Sequence, residues 1–523
     1  MKIFAIPMTS FTSTPLEDIP EIRDALLKGF GSGKTKSIKY RKEQLLQLAY
    51  LLKDNHQRFL DALAKDLGRP ALETDFTEMT ATLGDIYDSY NNVGKWAKDE
   101  KAPFSVLWYF MNPTVRKEPK GVVLIIGPFN FPILCLLMPL ACALAAGNTV
   151  LLKPSELSTA VSDLVAELVP KYFEPGLVRV VQGGIPQTSK LIEYPWGHIC
   201  YTGSPRVARI IAHAAANTLT PVTFELGGKN PTIVDAKGDL KLAARRILWG
   251  RNVNAGQACT APEYVLVMRS VEEEFIKELQ NTYATYYEND PSGSKSFSRI
   301  ITQEHASRIA HLLSETKGKI VAGGEVDTEN KYIAPTIVRD VPPDDSLMSE
   351  EIFGPVLSII PVDNIDEAIA FAHARDKPLA VYIFTSDKKV KEKVIENTSS
   401  GAVFVNDVLI HPGATGLPFG GIGLSGYGCM TGKWGFNTFT HFRALLDSPG
   451  YLDTLALWPR FPPYTDEKYH KIRSLSAFKL PPRPGNAEAP RRKWGLYALF
   501  AMFGAVVAVL GRKVGSVFGS TQE

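Results

Sequence analysis

Apolar β-rich runs alternate with helical stretches between residues 121 and 234, and this alternation constrains the fold more than any other feature of the sequence. The run Gly121–Gly127 precedes a small apolar helical stretch that reaches Ala146, and the next strand ends at Lys153. Strands separated by about 10 to 15 helical residues are typical of βαβ units in a parallel sheet. A second alternating region, at about 265–405, predicts a second α/β domain.

The composition excludes several classes of function. The chain has 523 residues, enough for two or three domains, and its 58 Lys and Arg against 55 Asp and Glu give a net charge of +3. So small a charge provides no electrostatic footprint for nucleic acid. The five cysteines are widely spread, without CxxC or Cys/His spacings, so we expect neither a disulfide framework nor a bound metal.

A helix start follows one strand of the first region. Ser204 and Pro205 are a favourable N-cap and first helical residue, and they come soon after a strand that ends near Tyr201. A helix N-terminus at the carboxyl end of a parallel strand suits a dinucleotide phosphate, and Gly203 would allow its close approach. No GxGxxG motif follows the first strand, and Ser-Pro helix starts also occur in proteins that bind no nucleotide.

Four polar features lie at strand ends or in glycine turns: Asn130, Lys153 with Glu156, Glu225, and Cys259. Singly, each has an ordinary explanation, because a cysteine among small residues is more often a packing residue and the others could be turn residues. Together they make chemical sense as one catalytic set. A thiolate attacks a carbonyl carbon, an amide and a backbone N–H hold the oxyanion, and a carboxylate activates water.

Six longer motifs resemble those of the aldehyde dehydrogenase superfamily, and within it the class 3 branch that includes membrane-anchored fatty aldehyde dehydrogenases. They read GPFNFP, AAGNTVLLKPSE, TPVTFELGGKNP, NAGQACTAPEY, EEIFGPV and LPFGGIGLSGYG. The likeness covers about residues 28–443. It implies an enzyme that oxidises an aldehyde to a carboxylic acid with a nicotinamide cofactor.

The same resemblance implies the catalytic roles. Cys259 corresponds to the nucleophile, Asn130 with the Cys259 backbone N–H to the oxyanion hole, and Glu225 to the general base. In the implied cycle Cys259 forms a thiohemiacetal, hydride leaves for the nicotinamide, and water that Glu225 deprotonates hydrolyses the resulting thioester. A carboxylate in this position favours water over coenzyme A as the acyl acceptor.

Further residues match the family's cofactor site. Lys153 and Glu156 correspond to the pair at the adenosine ribose, and Gly203 and Ser204 to the pair at the diphosphate. Glu351 and Phe353 correspond to the pair at the nicotinamide ribose. We expect NAD, because Glu156 would repel the 2′-phosphate of NADP. Lys153 could pair with that phosphate, so NADP remains an alternative.

The resemblance also implies the domain organisation. Residues 20–102 and 121–225 would form a Rossmann-like NAD-binding domain, and residues 226–425 a second, catalytic α/β domain. Residues 103–120 and 426–445 would form a β-arm for oligomerisation. Family members pair through such arms, so we expect a homodimer.

The C-terminal region predicts a transmembrane helix that acts as a tail anchor. Residues 494–511 carry no charge, are flanked by basic residues and follow a linker at 481–493 that begins in a proline-rich stretch. A run of this length can span a bilayer. A buried core helix is the alternative. We expect the catalytic body to face the cytosol at the endoplasmic reticulum, with the mitochondrial outer membrane and lipid droplets as alternatives.

Residues 455–480, before the linker, contain a predicted helix with Thr465 as its N-cap and Asp466 and Glu467 in its first turn. It resembles the short helix that covers the substrate funnel of fatty aldehyde dehydrogenases, although it could simply pack on the body. Long-chain aldehydes partition into lipid, where an anchored enzyme would meet them. We therefore expect a long-chain aldehyde as substrate and membrane lipid as partner.

Three other functions stay open at this point. The first is a class 3 enzyme for medium-chain or aromatic aldehydes, with an anchor that serves only for location. The second is an inactive membrane scaffold with the same fold, which the competent residue at every matched catalytic position disfavours. The third is a thioesterase or esterase that uses Cys259 and Glu225, which NAD binding would exclude.

Overall fold

The computed structural model describes residues 12–105, 108–287, 290–475, 480, 481 and 483. They fall into two units. The first comprises the described residues up to Ala102 together with Thr114–Leu445, and the second comprises Pro103–Pro113 and the described residues from Leu446 onwards. The first unit contains both large sheets and every residue of the candidate site.

Five helices and two short strands begin the described chain. They are α1 (Ile19–Gly31), α2 (Ile38–Asp54), α3 (His56–Leu67), α4 (Ala71–Thr74), α5 (Thr80–Trp96), β1 (Glu100–Lys101) and β2 (Thr114–Pro119). The Ser37 hydroxyl caps α2 by accepting a hydrogen bond from the Tyr40 N–H at 3.3 Å. Leu45, Leu48 and Leu52 are fully buried, as their helical spacing predicts.

Five parallel strands form most of the first large sheet: β3 (Val122–Ile126), β4 (Thr149–Lys153), β5 (Val178–Val180), β6 (His198–Gly203) and β7 (Val222–Leu226). Their order is β7-β6-β3-β4-β5. The connecting helices are α6 (Leu134–Ala146), α7 (Thr159–Tyr172), α8 (Ile185–Ile192) and α9 (Pro205–Thr218). Apolar side chains pack against both faces of the sheet, so β3 and β4 are buried along their whole length.

The second large sheet begins only four residues after β7. Its strands are β8 (Asn230–Val234), β9 (Pro262–Met268), β10 (Lys319–Ala322), β13 (Thr336–Arg339), β14 (Val356–Val362), β15 (Ala380–Phe384) and β16 (Ala402–Val405), and a separate hairpin holds β11 (Val326–Asp327) and β12 (Tyr332–Ile333). The order is β10-β13-β14-β9-β8-β15-β16, with only β10 antiparallel to its neighbour. The helices are α10 (Leu240–Asn252), α11 (Glu272–Tyr287), α12 (Gln303–Ser314), α13 (Ser346–Ser349), α14 (Ile365–His373) and α15 (Lys388–Glu396). The two predicted α/β regions are thereby confirmed.

The segment predicted as the second half of the β-arm divides between two places. It contains β17 (Gly426–Tyr427), α16 (Gly432–Thr438) and β18 (Thr440–Leu445). Only β18 pairs with β2, in a three-stranded sheet with β1. β17 instead extends the first large sheet, antiparallel to β7, with Gly426 opposite Glu225. Gly426 (φ 114°) lies so close to β7 that a side chain there would meet the Phe224 carbonyl oxygen.

In the second unit, the described residues include the α-helix α17 (Asp466–Leu475). This helix lies in the region predicted to gate the substrate. The Thr465 hydroxyl accepts a hydrogen bond from the Lys468 N–H at 3.3 Å, as expected of an N-cap. The predicted anchor at 494–511, and the linker at 481–493 apart from residues 481 and 483, lie outside the described residues. In the part of the chain that is described, no helix has the length and hydropathy needed to cross a membrane.

Helix α1 packs so closely on the turn before β5 that one of its glycines has no room for a side chain. A Cβ added at Gly29 would lie 1.8 Å from the Gly176 carbonyl oxygen, whereas one added at Gly31 would meet nothing within 4 Å. We expect Gly29→Ala to lower the free energy of unfolding by about 1–3 kcal/mol, because backbone would have to move. Chemical denaturation monitored by circular dichroism measures this.

Gly31→Ala is the matched control in the same helix. It should leave stability unchanged or raise it slightly, since alanine is the better helix former. Equal losses of stability in the two variants would contradict the packing argument.

Candidate active site

Cys259 and Glu225 line the same cavity, which has a volume of about 600 Å³. Most of its wall is apolar, with contributions from Phe76, Phe131, Met138, Phe404, Leu409 and Phe419. A mostly apolar cavity with a few convergent polar groups is the usual form of a small-molecule site. The two residues predicted as nucleophile and base therefore lie where a substrate could reach them.

Cys259 lies in the turn that leads into β9. Asn230 fixes this turn by donating from Nδ2 to the carbonyl oxygens of Cys259, at 2.8 Å, and Ala261, at 3.0 Å. Burial, with contributions from Glu351 and Glu225, raises the pKa of the Cys259 thiol to about 12. The backbone N–H groups of Cys259 and Thr260 act in the opposite direction because they donate towards the sulfur. The resting group is thus a thiol with an N–H donor beside it.

Glu225 is fully buried on β7, and neither of its carboxyl oxygens has a hydrogen-bond partner among the described residues. Burial raises its pKa well above the ordinary value of a glutamate. A Cβ added at Gly420 would lie 3.3 Å from its Oε1 atom, so the carboxyl group lies against the glycine segment after the second large sheet. A carboxyl group in this environment holds a proton more strongly than one in water.

Asn130 is joined to the cysteine turn by hydrogen bonds. Its Nδ2 atom donates to the Gln257 carbonyl oxygen at 3.1 Å, and its own carbonyl accepts from Asn254 Nδ2 at 2.9 Å. Asn254 has a left-handed backbone (φ 53°), as has Ala255. Asn130 is therefore held against the turn that precedes Cys259.

The residues that hold these two loops together include a buried ion pair that the sequence analysis missed. Arg69 donates to Glu78, to the Asn130 carbonyl and to Asn254 Oδ1. The other Glu78 oxygen accepts from the N–H groups at the start of α6, Ile133 at 2.7 Å and Leu134 at 2.9 Å. Nine positions separate the arginine and the glutamate, and no spacing rule connects them to Cys259, which lies 181 positions after Glu78.

Two of the predicted cofactor pairs lie at the carboxyl edge of the first large sheet. Lys153 ends β4 and bonds Glu156 at 2.5 Å. Gly203 ends β6, and a Cβ there would lie 2.2 Å from the Tyr201 hydroxyl oxygen. Ser204 caps α9 through a 3.4 Å bond from the Val207 N–H, as the sequence predicts.

The third pair lies close to Cys259. Burial, with a contribution from Glu263, raises the pKa of the Glu351 carboxyl group to about 8, and its Oε1 atom has no partner among the described residues. A Cβ at Gly227 would lie 2.0 Å from Glu351 Oε2. Phe353 has a left-handed backbone (φ 51°), and its ring packs edge-on against Phe129 at 5.8 Å between ring centroids.

Comparison with known proteins identifies the class of this fold and site. The model of the family described as "Aldehyde dehydrogenase family" matches residues 7–445. Among curated relatives, human aldehyde dehydrogenase family 3 member B1 is 43% identical over 448 residues, which cover 86% of this chain and 95% of the relative. The Beta-apo-4'-carotenal oxygenase of Neurospora crassa is 42% identical over 466 residues, covering 89% of this chain and 87% of the relative.

Solved structures agree with this classification. The substrate-bound state of Staphylococcus aureus AldH superposes with a TM-score of 0.84 at 38% identity, covering 87% of this chain and 99% of that one. The Mycobacterium tuberculosis aldehyde dehydrogenase complexed with NAD+ has a TM-score of 0.76 at 27% identity, covering 84% and 92%.

The chain belongs to the aldehyde dehydrogenase family. It is an aldehyde-oxidising oxidoreductase of the class 3 type, as the sequence resemblance implies. A nicotinamide dinucleotide is the cofactor that the sequence predicts, and it agrees with the family assignment.

The buried ion pair is expected to dominate the stability of the loops around Asn130. Glu78→Gln preserves the shape of the side chain but leaves the Arg69 guanidinium without a carboxylate. We expect the free energy of unfolding to fall by about 3–5 kcal/mol, as when one partner of a buried pair is removed. Urea denaturation measures the loss.

Glu167→Gln is the control, because Glu167 pairs with Arg58 and Lys171 at the exposed surface. Its stability should stay close to that of the wild type, since exposed pairs contribute little. A Glu78→Gln variant as stable as this control would show that the pair does not hold the loops.

Proposed function

We propose that this protein oxidises long-chain aliphatic aldehydes to fatty acids with NAD, through an acyl intermediate on Cys259. The observation that carries the proposal is one mostly apolar cavity lined both by a half-buried thiol and by a buried carboxyl group that has no partner among the described residues. The alternative substrates, medium-chain and aromatic aldehydes, share the chemistry and differ in how much of the cavity they would fill.

The cofactor assignment is supported by two features of this chain. Glu351 Oε1 is a buried acceptor without a described partner, which suits a ribose hydroxyl donor beside Cys259. Gly203 ends β6 and Ser204 caps α9, so a helix N-terminus lies at the carboxyl end of a parallel strand, a place that suits a diphosphate. Glu156 bonds Lys153, so its carboxylate would face the 2′ position of the adenosine ribose. Because a carboxylate there would repel the 2′-phosphate of NADP, we propose NAD as the cofactor.

The first chemical step is attack by Cys259 on the aldehyde carbon. The thiol must first lose its proton to water, and the backbone N–H groups of Cys259 and Thr260 favour the thiolate that forms. Asn130 Nδ2 and the Cys259 backbone N–H would donate to the oxygen that becomes negatively charged. Since an amide carries two N–H donors, Asn130 can bond Gln257 and still serve this oxygen.

A bound nicotinamide would supply the hydride acceptor. Breaking of the C–H bond of the thiohemiacetal, with loss of its hydrogen as hydride, would leave a thioester on Cys259. Glu225 then deprotonates a water molecule, the hydroxide attacks the thioester carbonyl, and the carbon–sulfur bond breaks to release the acid and restore the cysteine. Burial raises the pKa of Glu225, so the rate should increase as pH rises through that pKa, because only the ionised group accepts a proton.

Long-chain substrates are supported by the apolar wall of the cavity, and by the relative named as an apocarotenal oxygenase. We also propose that residues 494–511 anchor the protein in a membrane, with the body facing the cytosol at the endoplasmic reticulum. That location would bring the enzyme to aldehydes dissolved in lipid.

A homodimer is supported by the described part of the arm. β18 is the last strand of its three-stranded sheet, and Phe442 and Leu445 on it are both more than 40% exposed. An unpaired strand edge with exposed apolar side chains is a suitable surface for pairing with a second copy.

The test is NADH formation by the detergent-solubilised full chain with saturated aldehydes of six to eighteen carbons. We expect kcat/KM to rise by up to about fourfold per methylene, the effect of burying one more CH₂, until the cavity is filled. Cys259→Ala should abolish the reaction, and Cys429→Ala, at a thiol outside the cavity wall, should retain it.

Three results would change the proposal. A maximum at six to eight carbons, or a preference for benzaldehyde, would favour the alternative substrates. NAD binding without NADH formation from any aldehyde would favour the scaffold. Ester hydrolysis without NAD binding would favour the esterase.

A further inference from the structure

Three charged residues of the second domain contact the segment that contains Glu351 and Phe353, and none of them is part of the chemistry described above. Two of them, Arg251 and Glu263, are buried, and Lys229 is nearly so. Lys229 lies just before β8, Arg251 on α10 and Glu263 on β9. Glu263 is the centre of the cluster: it bonds Arg251 Nη1 at 2.6 Å and Lys229 Nζ at 3.0 Å. Although burial opposes ionisation, Arg251 and Lys229 lower the pKa of Glu263 to about 2.

Each member of the cluster forms a hydrogen bond with the main chain of residues 350–354. Lys229 Nζ donates to the Glu350 carbonyl at 2.9 Å. The second oxygen of Glu263 accepts from the Ile352 N–H at 3.0 Å. Arg251 Nε donates to the Gly354 carbonyl at 2.8 Å. The three residues that the cluster bonds therefore alternate along the chain with Glu351 and Phe353, the pair that corresponds to the family's nicotinamide ribose site.

The conformation of this segment needs such support. Phe353 has φ 51°, a value that residues with a side chain rarely adopt, and such strain persists where the surroundings over-determine the backbone. The segment also contacts the catalytic turn, because a Cβ added at Gly256 would lie 2.2 Å from the Gly354 carbonyl oxygen. The bonds from the cluster therefore act on a segment that borders Cys259.

We propose that Glu263, with Lys229 and Arg251, is a positioning residue that holds Glu351 and Phe353 in the place where they bind the nicotinamide ribose. Glu263 would not touch the cofactor or the substrate. Its effect passes through the main chain of Glu350, Ile352 and Gly354. The inference rests on the proposed function in one respect, namely that Glu351 and Phe353 face the cofactor.

The experiment compares the wild type with Glu263→Gln, in the full chain. Glutamine keeps the shape and one acceptor but removes the charge that holds the two cations. We expect the dissociation constant for NAD, measured by quenching of tryptophan fluorescence, to rise by roughly tenfold, since small displacements of binding groups have large effects. The KM for NAD should rise with it, while the cofactor-independent hydrolysis of p-nitrophenyl acetate by Cys259 should change much less.

Amide hydrogen exchange provides a readout that does not involve activity. Peptides that contain residues 350–354 should exchange faster in Glu263→Gln, because the Ile352 N–H loses a carboxylate acceptor. Glu263→Asp keeps the charge and should restore part of the NAD affinity. Arg251→Lys also keeps its charge but cannot span both Gly354 and Glu263, so it tests the same positioning if Glu263→Gln does not fold.

Glu272→Gln is the matched control, because Glu272 is also buried and pairs with an arginine, Arg339, at 3.1 Å, on a different part of the second domain. It should leave NAD affinity and the exchange of residues 350–354 unchanged.

Two failures can be told apart. A wild type that does not bind NAD would overturn the proposed function. The positioning role alone would be overturned by a different result. In that case the wild type binds NAD, and folded Glu263→Gln and Arg251→Lys variants keep the same NAD affinity and the same amide hydrogen exchange at residues 350–354.

Discussion

Glu225 lies in the wall of a mostly apolar cavity with neither carboxyl oxygen bonded to another described residue. Leaving such a group buried without partners costs roughly 1–3 kcal/mol, so the rest of the fold must offset that loss. Burial also raises the pKa of this carboxyl group, so it binds protons more strongly than a carboxyl group in water. Cys259 lines the same cavity, and in the proposed cycle the acyl group that it carries needs such a base for its hydrolysis by water.

Two ion networks hold segments next to the catalytic turn. Arg69 and Glu78 join the start of α6, the main chain of Asn130 and the turn before Cys259. Glu263 and its two cations hold the segment at 350–354. Ion networks of this kind are rigid because each charge would be uncompensated if its partner moved. Glu225, which must exchange protons in the proposed reaction, belongs to neither network.

The sequence predicts the local features of this protein and several residues of its site. Apolar runs as long as β3 and β4 indicate buried parallel strands, and Ser204 before Pro205 indicates the start of α9. Cys259 and Glu225 can be picked out as candidate site residues because each lies near glycines, which leave room around a side chain. By contrast, the roles of Arg69 and Glu263 depend on contacts between distant parts of the chain, which residue spacing does not encode. The pairing of β17 with β7 likewise depends on how closely Gly426 approaches β7, which the sequence does not show.

The central claim is that Glu225 deprotonates the water that releases an acyl group from Cys259. The most direct measurement is rapid-quench mass spectrometry of Glu225→Gln mixed with a long-chain aldehyde and NAD, with NADH followed in parallel. The account predicts a burst of about one NADH per site, an acyl adduct on the peptide that contains Cys259, and steady turnover lowered by about 10²- to 10⁴-fold. Steady turnover equal to the wild type, with no adduct on Cys259, would contradict it.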